Sequence, residues 1–292
     1  MKNWLTYTLL ATTLMGVWGA FAGLPSQHGF PETLIYVVWA LTMIPPALLV
    51  LHRAGWRLQR DLRAVVLGLV IGVLGAGGQM ILFYAVKNGP TYLIFPIISM
   101  SPVITIGLSY FMLKERTGRL GMAGIVLAVL ALPLFDYDPG AAAQSYGPWF
   151  LMAIGVLLAW GLQAYFIKLA NATMEAESIF FYMTVSGLLF IPLALLMTDF
   201  TQPINMGWQG PYLAAATQVL NALGALALVY AFRYGKALVV SPLVNAGAPL
   251  LTTILSVLMA ATLPGGAKLL GIGLSLAAAL LLALQPEEAA KS

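Results

Sequence analysis

The sequence contains no cysteine, only two histidines, and charged residues at just 8% of its 292 positions. Without cysteine there is no disulfide, thiolate metal site or thiol nucleophile, and the redox compartment is left open. His28 and His52 both lie near loops of the first half, and no serine–histidine pair, two-aspartate pair or metal cluster falls inside apolar sequence, which argues against an enzyme. A water-soluble globule carries charge on about a quarter of its residues, so this composition excludes one. No carboxylate falls deep in an apolar run: Glu32, Asp61, Glu115, Asp136, Asp138, Glu175, Glu177, Asp199, Glu287 and Glu288 sit in loops or at helix ends. A carrier that exchanges protons for organic cations normally keeps an acid at mid-membrane, and that mechanism is not expected here. Asp136 and Asp138, two apart beside Gly140, read as solvated linker charges rather than a metal site, and no metal or cofactor is expected.

What the chain has instead is apolar sequence, 61% of it, with a net charge of +4 whose basic residues are sorted by loop, a topological signal and not a nucleic-acid footprint. Spanning about 30 Å of hydrocarbon takes ~20 apolar helical residues. Cutting at charged, proline- and glycine-rich breaks gives ten segments: 4–24, 31–51, 64–86, 91–113, 119–135, 147–169, 178–198, 209–232, 238–260 and 267–285. The first also reads as a signal peptide, with Lys2, an apolar run and Ala20-Phe21-Ala22, but it has an internal counterpart.

That counterpart belongs to a repeat. YAVKNGPTYLIFP at 84–96 returns as YAFRYGKALVVSP at 230–242, an offset of 146 residues. At that offset Tyr36 meets Tyr182, Pro46 meets Pro192 and Gly78 meets Gly224; with one residue more, Pro102 meets Pro249 and Gly124 meets Gly271. Trp18-Gly19 meets Trp160-Gly161 at a slightly shorter offset. The expected fold is an all-α integral membrane protein of ten transmembrane helices, built as five-helix repeats at 1–136 and 147–285 with a linker at 137–146. Five helices per repeat force the second copy to enter from the other side. The basic residues agree: with both termini cytoplasmic, twelve of the fourteen fall inside, and only Lys87 and Lys268 outside. The loop at 52–63 carries four arginines, whereas its counterpart TDFTQPINMGWQ carries no basic residue, as inverted copies under the positive-inside rule require.

Polar side chains inside the spans are functional-site candidates, against the alternative that they only hold helices together. Gln79 follows Gly75 by one turn of the third helix, with Tyr84 nearer the outer end, where a belt position explains it equally well. In the eighth helix Gln218 and Asn221 share a face, and Asn221 corresponds to Gly75. Asn245 lies near the position matching Ser99, and Gln163 follows Trp160. Trp18 and Trp160 are too deep for interfacial anchors, unlike Trp4, Trp56, Trp149 and Trp208, and are read as a gate or a cavity wall. Amides donate and accept hydrogen bonds, which suits a zwitterionic or polyhydroxylated solute. Pro96 and Pro242 lie early in the fourth and ninth helices, Pro102 and Pro249 near mid-span, so both helices are expected to bend along a transport path. The run GVLGAGG at 72–78 permits close helix approach and is no phosphate loop.

With ten spans, inverted halves and the patterns YAVKNG…P…SP…LKE and YAFRYG…P…AP, the chain resembles the drug/metabolite transporter superfamily, in its EamA-like ten-helix branch. The resemblance implies alternating-access transport of small solutes, often export of amino acids or other metabolites, through a cavity lined by helices 1, 3, 4, 6, 8 and 9. Carried onto this sequence, that lining draws on Trp18, Gln79, Ser99, Trp160, Asn221 and Asn245. Two departures stand out: Glu115, at the end of the first half's fourth helix, is answered by Thr262, and the membrane-embedded glutamate of the four-helix multidrug relatives has no counterpart. The expected function is secondary transport of a small neutral or zwitterionic metabolite, amino-acid-like before nucleoside or sugar, across the bacterial inner membrane. The alternative is a passive channel or non-transporting sensor of the same fold. Partners are the solute and membrane lipids, with no nucleic acid; homodimerisation is left open.

Overall fold

Asp61 begins one of the two longest described rods, Leu62–Asn88: its carboxylate accepts the Ala64 N–H at 3.1 Å and caps the helix. The computed structural model describes residues 3–89, 91–135, 147–260 and 265–284. Among the described residues it is helical without strands, as a chain in hydrocarbon must be when each peptide group has to find its partner within its own segment. Ten helical rods follow in order: α1 (Asn3–Gln27), α2 (Glu32–Arg53), α3 (Leu62–Asn88), α4 (Leu93–Phe111), α5 (Arg119–Phe135), α6 (Pro148–Ala170), α7 (Ala176–Met197), α8 (Trp208–Tyr234), α9 (Ala237–Met259) and α10 (Gly266–Leu282). Each expected segment coincides with one rod. Eight are long and apolar enough to cross a membrane; α5 and α10 are shorter, and they pack against each other.

Prolines break the rods where the missing N–H and the ring exclude a regular turn. In α2 the stretches Glu32–Thr42 and Ile44–Arg53 meet at Met43, just before Pro45 and Pro46. In α7 Ala176–Leu189 and Ile191–Met197 meet at Phe190, just before Pro192. The matched pair Pro46 and Pro192 therefore marks a matched break as well as a register. Before Pro102, α4 divides at Met100 (φ −79°, ψ 2°). The second half behaves differently: Ala237–Ala260 is one continuous helix with Pro242 and Pro249 inside it. Of the expected proline-linked bends in α4 and α9, the break at Pro102 is present; the side chain of Pro96 lies outside the described residues, as does the linker at 137–146.

The first helix of each half packs on the third and fourth helices of the other. α1 lies along α8 and α9, and α6 lies along α3 and α4. Small residues permit the approach: a Cβ at Gly16 would stand 2.7 Å from Leu251 Cβ, and one at Gly161 would stand 2.7 Å from the Ser101 carbonyl oxygen. Two threonines fasten the exchange. Thr105 Oγ1 of α4 donates to the Gly161 carbonyl of α6 at 2.9 Å, and Thr252 Oγ1 of α9 donates to the Gly16 carbonyl of α1 at 2.8 Å. The two threonines stand at the same offset as Pro102 and Pro249. Tyr36 and Tyr182 are likewise used alike: the Tyr36 hydroxyl donates to Gly187 O at 2.8 Å and the Tyr182 hydroxyl to Gln59 O at 2.6 Å.

Candidate functional site

The contact between α3 and α6 is made of glycine on one side and large polar rings and amides on the other. The helices run antiparallel, with Gly89 against Trp149, Gly78 against Trp160 and Gly75 against Gln163. A Cβ at Gly78 would stand 2.6 Å from Trp160 Nε1, and one at Gly75 would collide with the Gln163 amide. With no side chain in the way, the Trp160 indole N–H reaches the Gly75 carbonyl at 3.3 Å. Gln79 projects about 40° round α3 from Gly75 and is half-buried. Trp160 and Gln163 are thereby brought together on one α3–α6 seam, with Gln79 on the adjoining face of α3.

The α1–α8 seam is its counterpart with a different outcome. Trp4 meets Gly235, Tyr7 stacks on Tyr230 with ring centroids 5.0 Å apart, and Met15 meets Gly224, so these helices are antiparallel too. That register sets Trp18 opposite Asn221. Where the Trp160 indole N–H finds the Gly75 carbonyl, that of Trp18 is buried without a hydrogen-bond partner. Gln218, one turn before Asn221, is buried.

On α9 every residue from Ala237 to Val244 is buried, Ala246 is buried, and Asn245 between them is exposed. Its Nδ2 donates to the Ser241 carbonyl at 2.9 Å. Ser99 closes the first stretch of α4 and is half-buried; Pro102 and Pro242 are buried and Pro249 is partly so. Tyr84 stands apart, half-exposed and about 140° round α3 from Gln79. Trp149 also departs from expectation: it is buried against Gly89 instead of anchoring at an interface, whereas Trp56 and Trp208 are exposed near rod ends.

Among the described residues no group of three His, Asp or Glu side chains is placed to hold a metal ion. An apolar groove of about 710 Å³ on the flank between α2 and α8, lined by Val38, Pro46, Ala215 and Val219, opens beside the break at Met43 and away from the polar seams.

Both halves match one family, described as the EamA-like transporter family, over residues 2–135 and 147–284. The family resemblance read from the repeated tyrosine, glycine and proline pattern is thereby borne out. The chain is 28% identical over 194 residues to the pseudopaline exporter CntI in two strains of Pseudomonas aeruginosa, covering 66% of either protein. It is 32% identical over 76 residues to an uncharacterized protein of Methanocaldococcus jannaschii, covering 26% of this chain and 56% of that one. These alignments thus span somewhat under two-thirds of the relatives' lengths. A solved structure titled only as the crystal structure of a protein superposes with a TM-score of 0.76 over 96% of this chain and 98% of its own, at 18% identity, a likeness of fold.

Proposed function

The chain belongs to the EamA-like transporter family, and on that premise we propose that it exports a small neutral or zwitterionic metabolite, amino-acid-like in its charged ends, by alternating access. It is a multi-pass membrane transporter of the drug/metabolite type, and the exporter relative supports metabolite export. The finer reading has ten spans in two inverted repeats, 1–136 and 147–285, with both termini on the cytoplasmic side of the bacterial inner membrane. Its supports are the reciprocal exchange of α1 and α6, fastened by matched threonines, and the opposite charge of matched loops. The rods α5 and α10 are short for a bilayer of average thickness; local thinning around this packed pair accommodates them.

The substrate class is supported by the uncharged make-up of the two helix contacts, with Trp160 and Gln163 on Gly75 and Gly78 near Gln79 in one and Trp18 in register with Asn221 in the other. Amides supply donors for a carboxylate and acceptors for an ammonium without burying a net charge, and indole faces cover the apolar part of a small solute. A cationic drug would need an acid here, and the seams hold none.

A ligand that binds only the folded state raises apparent stability by mass action, about 2.7 kcal/mol at a hundredfold excess over Kd. Thermal denaturation of the detergent-purified protein against amino acids, nucleosides and sugars is expected to give a saturable upward shift with one or more amino acids. A shift with nucleosides or sugars alone would overturn the zwitterion assignment.

A further inference from the structure

One end of the bundle is crossed by a charged network whose two charged residues are not repeated at the matching positions of the other half. After α4 the chain turns at Lys114, which sits at φ 54°, and the Glu115 N–H is held by the Ser109 carbonyl at 3.0 Å. Glu115 Oε2 accepts the Leu238 N–H at 3.0 Å, in the first turn of α9, where free N–H groups and the helix dipole favour an anion. Glu115 Oε1 lies 3.8 Å from Lys168 Nζ in the last turn of α6. Lys168 in turn donates to the carbonyls of Phe232 at 3.0 Å and Gly235 at 2.6 Å at the end of α8, where the dipole favours a cation. A second strap crosses the same gap, from Lys236 Nζ to the Arg116 carbonyl at 2.6 Å. The Glu115 carboxylate comes from the first half, and the groups that it and the Lys168 ammonium meet come from the second. In the repeat register Glu115 is answered by Thr262 and Lys168 by Ser26, neither of which carries a charge.

The burial along α9 follows the same polarity. Beside this network Ala237–Val244 is packed on all sides; beyond it Asn245 is exposed. Along α9 the end that holds Glu115 is therefore packed shut, and the first exposed position is Asn245.

We propose that Glu115 and Lys168 form the cytoplasmic lock of the transport cycle: Glu115 caps α9, Lys168 caps α8, and both caps must come apart before the cavity opens inward. The lock rests on the alternating-access reading. It also explains why a glutamate is needed in one half only, since an equal lock at both ends would hold the carrier occluded.

The absence of cysteine makes a direct test available. Ser241 is buried with its hydroxyl unpartnered, so Ser241→Cys is a mild change that reports cytoplasmic opening to an impermeant thiol reagent applied from that side. Asn245→Cys, probed from the outside, reports the opposite opening. Ser241→Cys is expected to react slowly alone and about tenfold faster with Glu115→Ala or Lys168→Met, the change in population that loss of one charge-assisted hydrogen bond brings. In the same variants Asn245→Cys is expected to react more slowly. Exchanging the charges, Glu115→Lys with Lys168→Glu, is expected to leave Ser241→Cys reactive, because each charge then meets a helix end of its own sign. No change at Ser241→Cys in either variant, faster reaction at both reporters, or protection restored by the exchange would each overturn the lock. Rapid labelling of both reporters from both sides in the otherwise unaltered protein would overturn alternating access itself, whatever the variants do.

Discussion

Transport by the Gln79→Ala, Asn221→Ala double variant is expected to fall about thirtyfold while the protein still inserts and folds. The two amides stand on different helices, Gln79 on α3 one turn from the Gly75–Gln163 contact and Asn221 on α8 in register with Trp18 of α1. Each lost hydrogen bond to a neutral donor or acceptor is worth ~1 kcal/mol, and ~2 kcal/mol together is about thirtyfold. Both side chains are only half-buried, and alanine is cheaper than an amide in hydrocarbon, so insertion is not the step at risk. Flux per inserted molecule, with membrane content measured on the same vesicles, is the readout. Unchanged flux in the double variant would remove both residues from the solute path.

The second large effect concerns the architecture that brings those seams together. Gly161→Ala is expected to destabilise the protein by roughly 1–3 kcal/mol, the usual penalty of an overpacked core. Its new Cβ would stand 2.7 Å from the Ser101 carbonyl oxygen and 2.6 Å from Ile104 Cβ. The first of these is backbone and cannot rotate away. Retreat of α4 would also break the Thr105 bond to the Gly161 carbonyl. Gly155 supplies the internal control, six residues earlier on the same helix, because an added Cβ there meets nothing within 4 Å. Gly155→Ala is expected to leave stability unchanged or raise it by up to ~1 kcal/mol through helix propensity. Thermal denaturation of both variants in one detergent reads the difference, and equal stabilities would contradict the close α4–α6 contact.

Much of this was legible because a membrane simplifies the code. A rod must be apolar for its length and end where charge or proline appears, which is why all ten segments could be cut from the sequence and each coincides with a rod. The repeat offset was readable from tyrosines, glycines and prolines that do the same local work twice, as Tyr36 and Tyr182 do in bonding backbone carbonyls of the other half. Less readable was what each proline would do. Pro46 and Pro192 looked like register marks and are also breaks, whereas Pro242 and Pro249, expected to bend their helix, sit inside one that runs on without a break. Whether a proline interrupts a helix depends on which neighbours take up the freed carbonyls, and those neighbours come from distant sequence.

The site itself was legible as residue types and illegible as pairings. Sequence spacing placed Gly75 and Gln79 on one face, but only the fold shows that Gly75 is small because Gln163 and Trp160 fill the space beside it. The asymmetry between the two tryptophans, one bonded to the Gly75 carbonyl and one unpartnered, is visible only in the fold. Lys168 read as a topological charge and Glu115 as a helix-end residue. Their meeting across 53 positions, with each on the helix end that suits its sign, needed the tertiary structure.

The central claim is that solute passes by alternating exposure rather than through a continuous opening, and trans-stimulation tests it most directly. Proteoliposomes loaded with an amino acid that shifts the thermal transition are diluted into a trace of the same amino acid carrying a radiolabel. The account predicts that unlabelled substrate inside accelerates entry of label and drives it transiently above equilibrium, since the loaded carrier returns faster than the empty one. Entry at a rate indifferent to internal substrate, with no overshoot, would make the protein a pore and contradict the account.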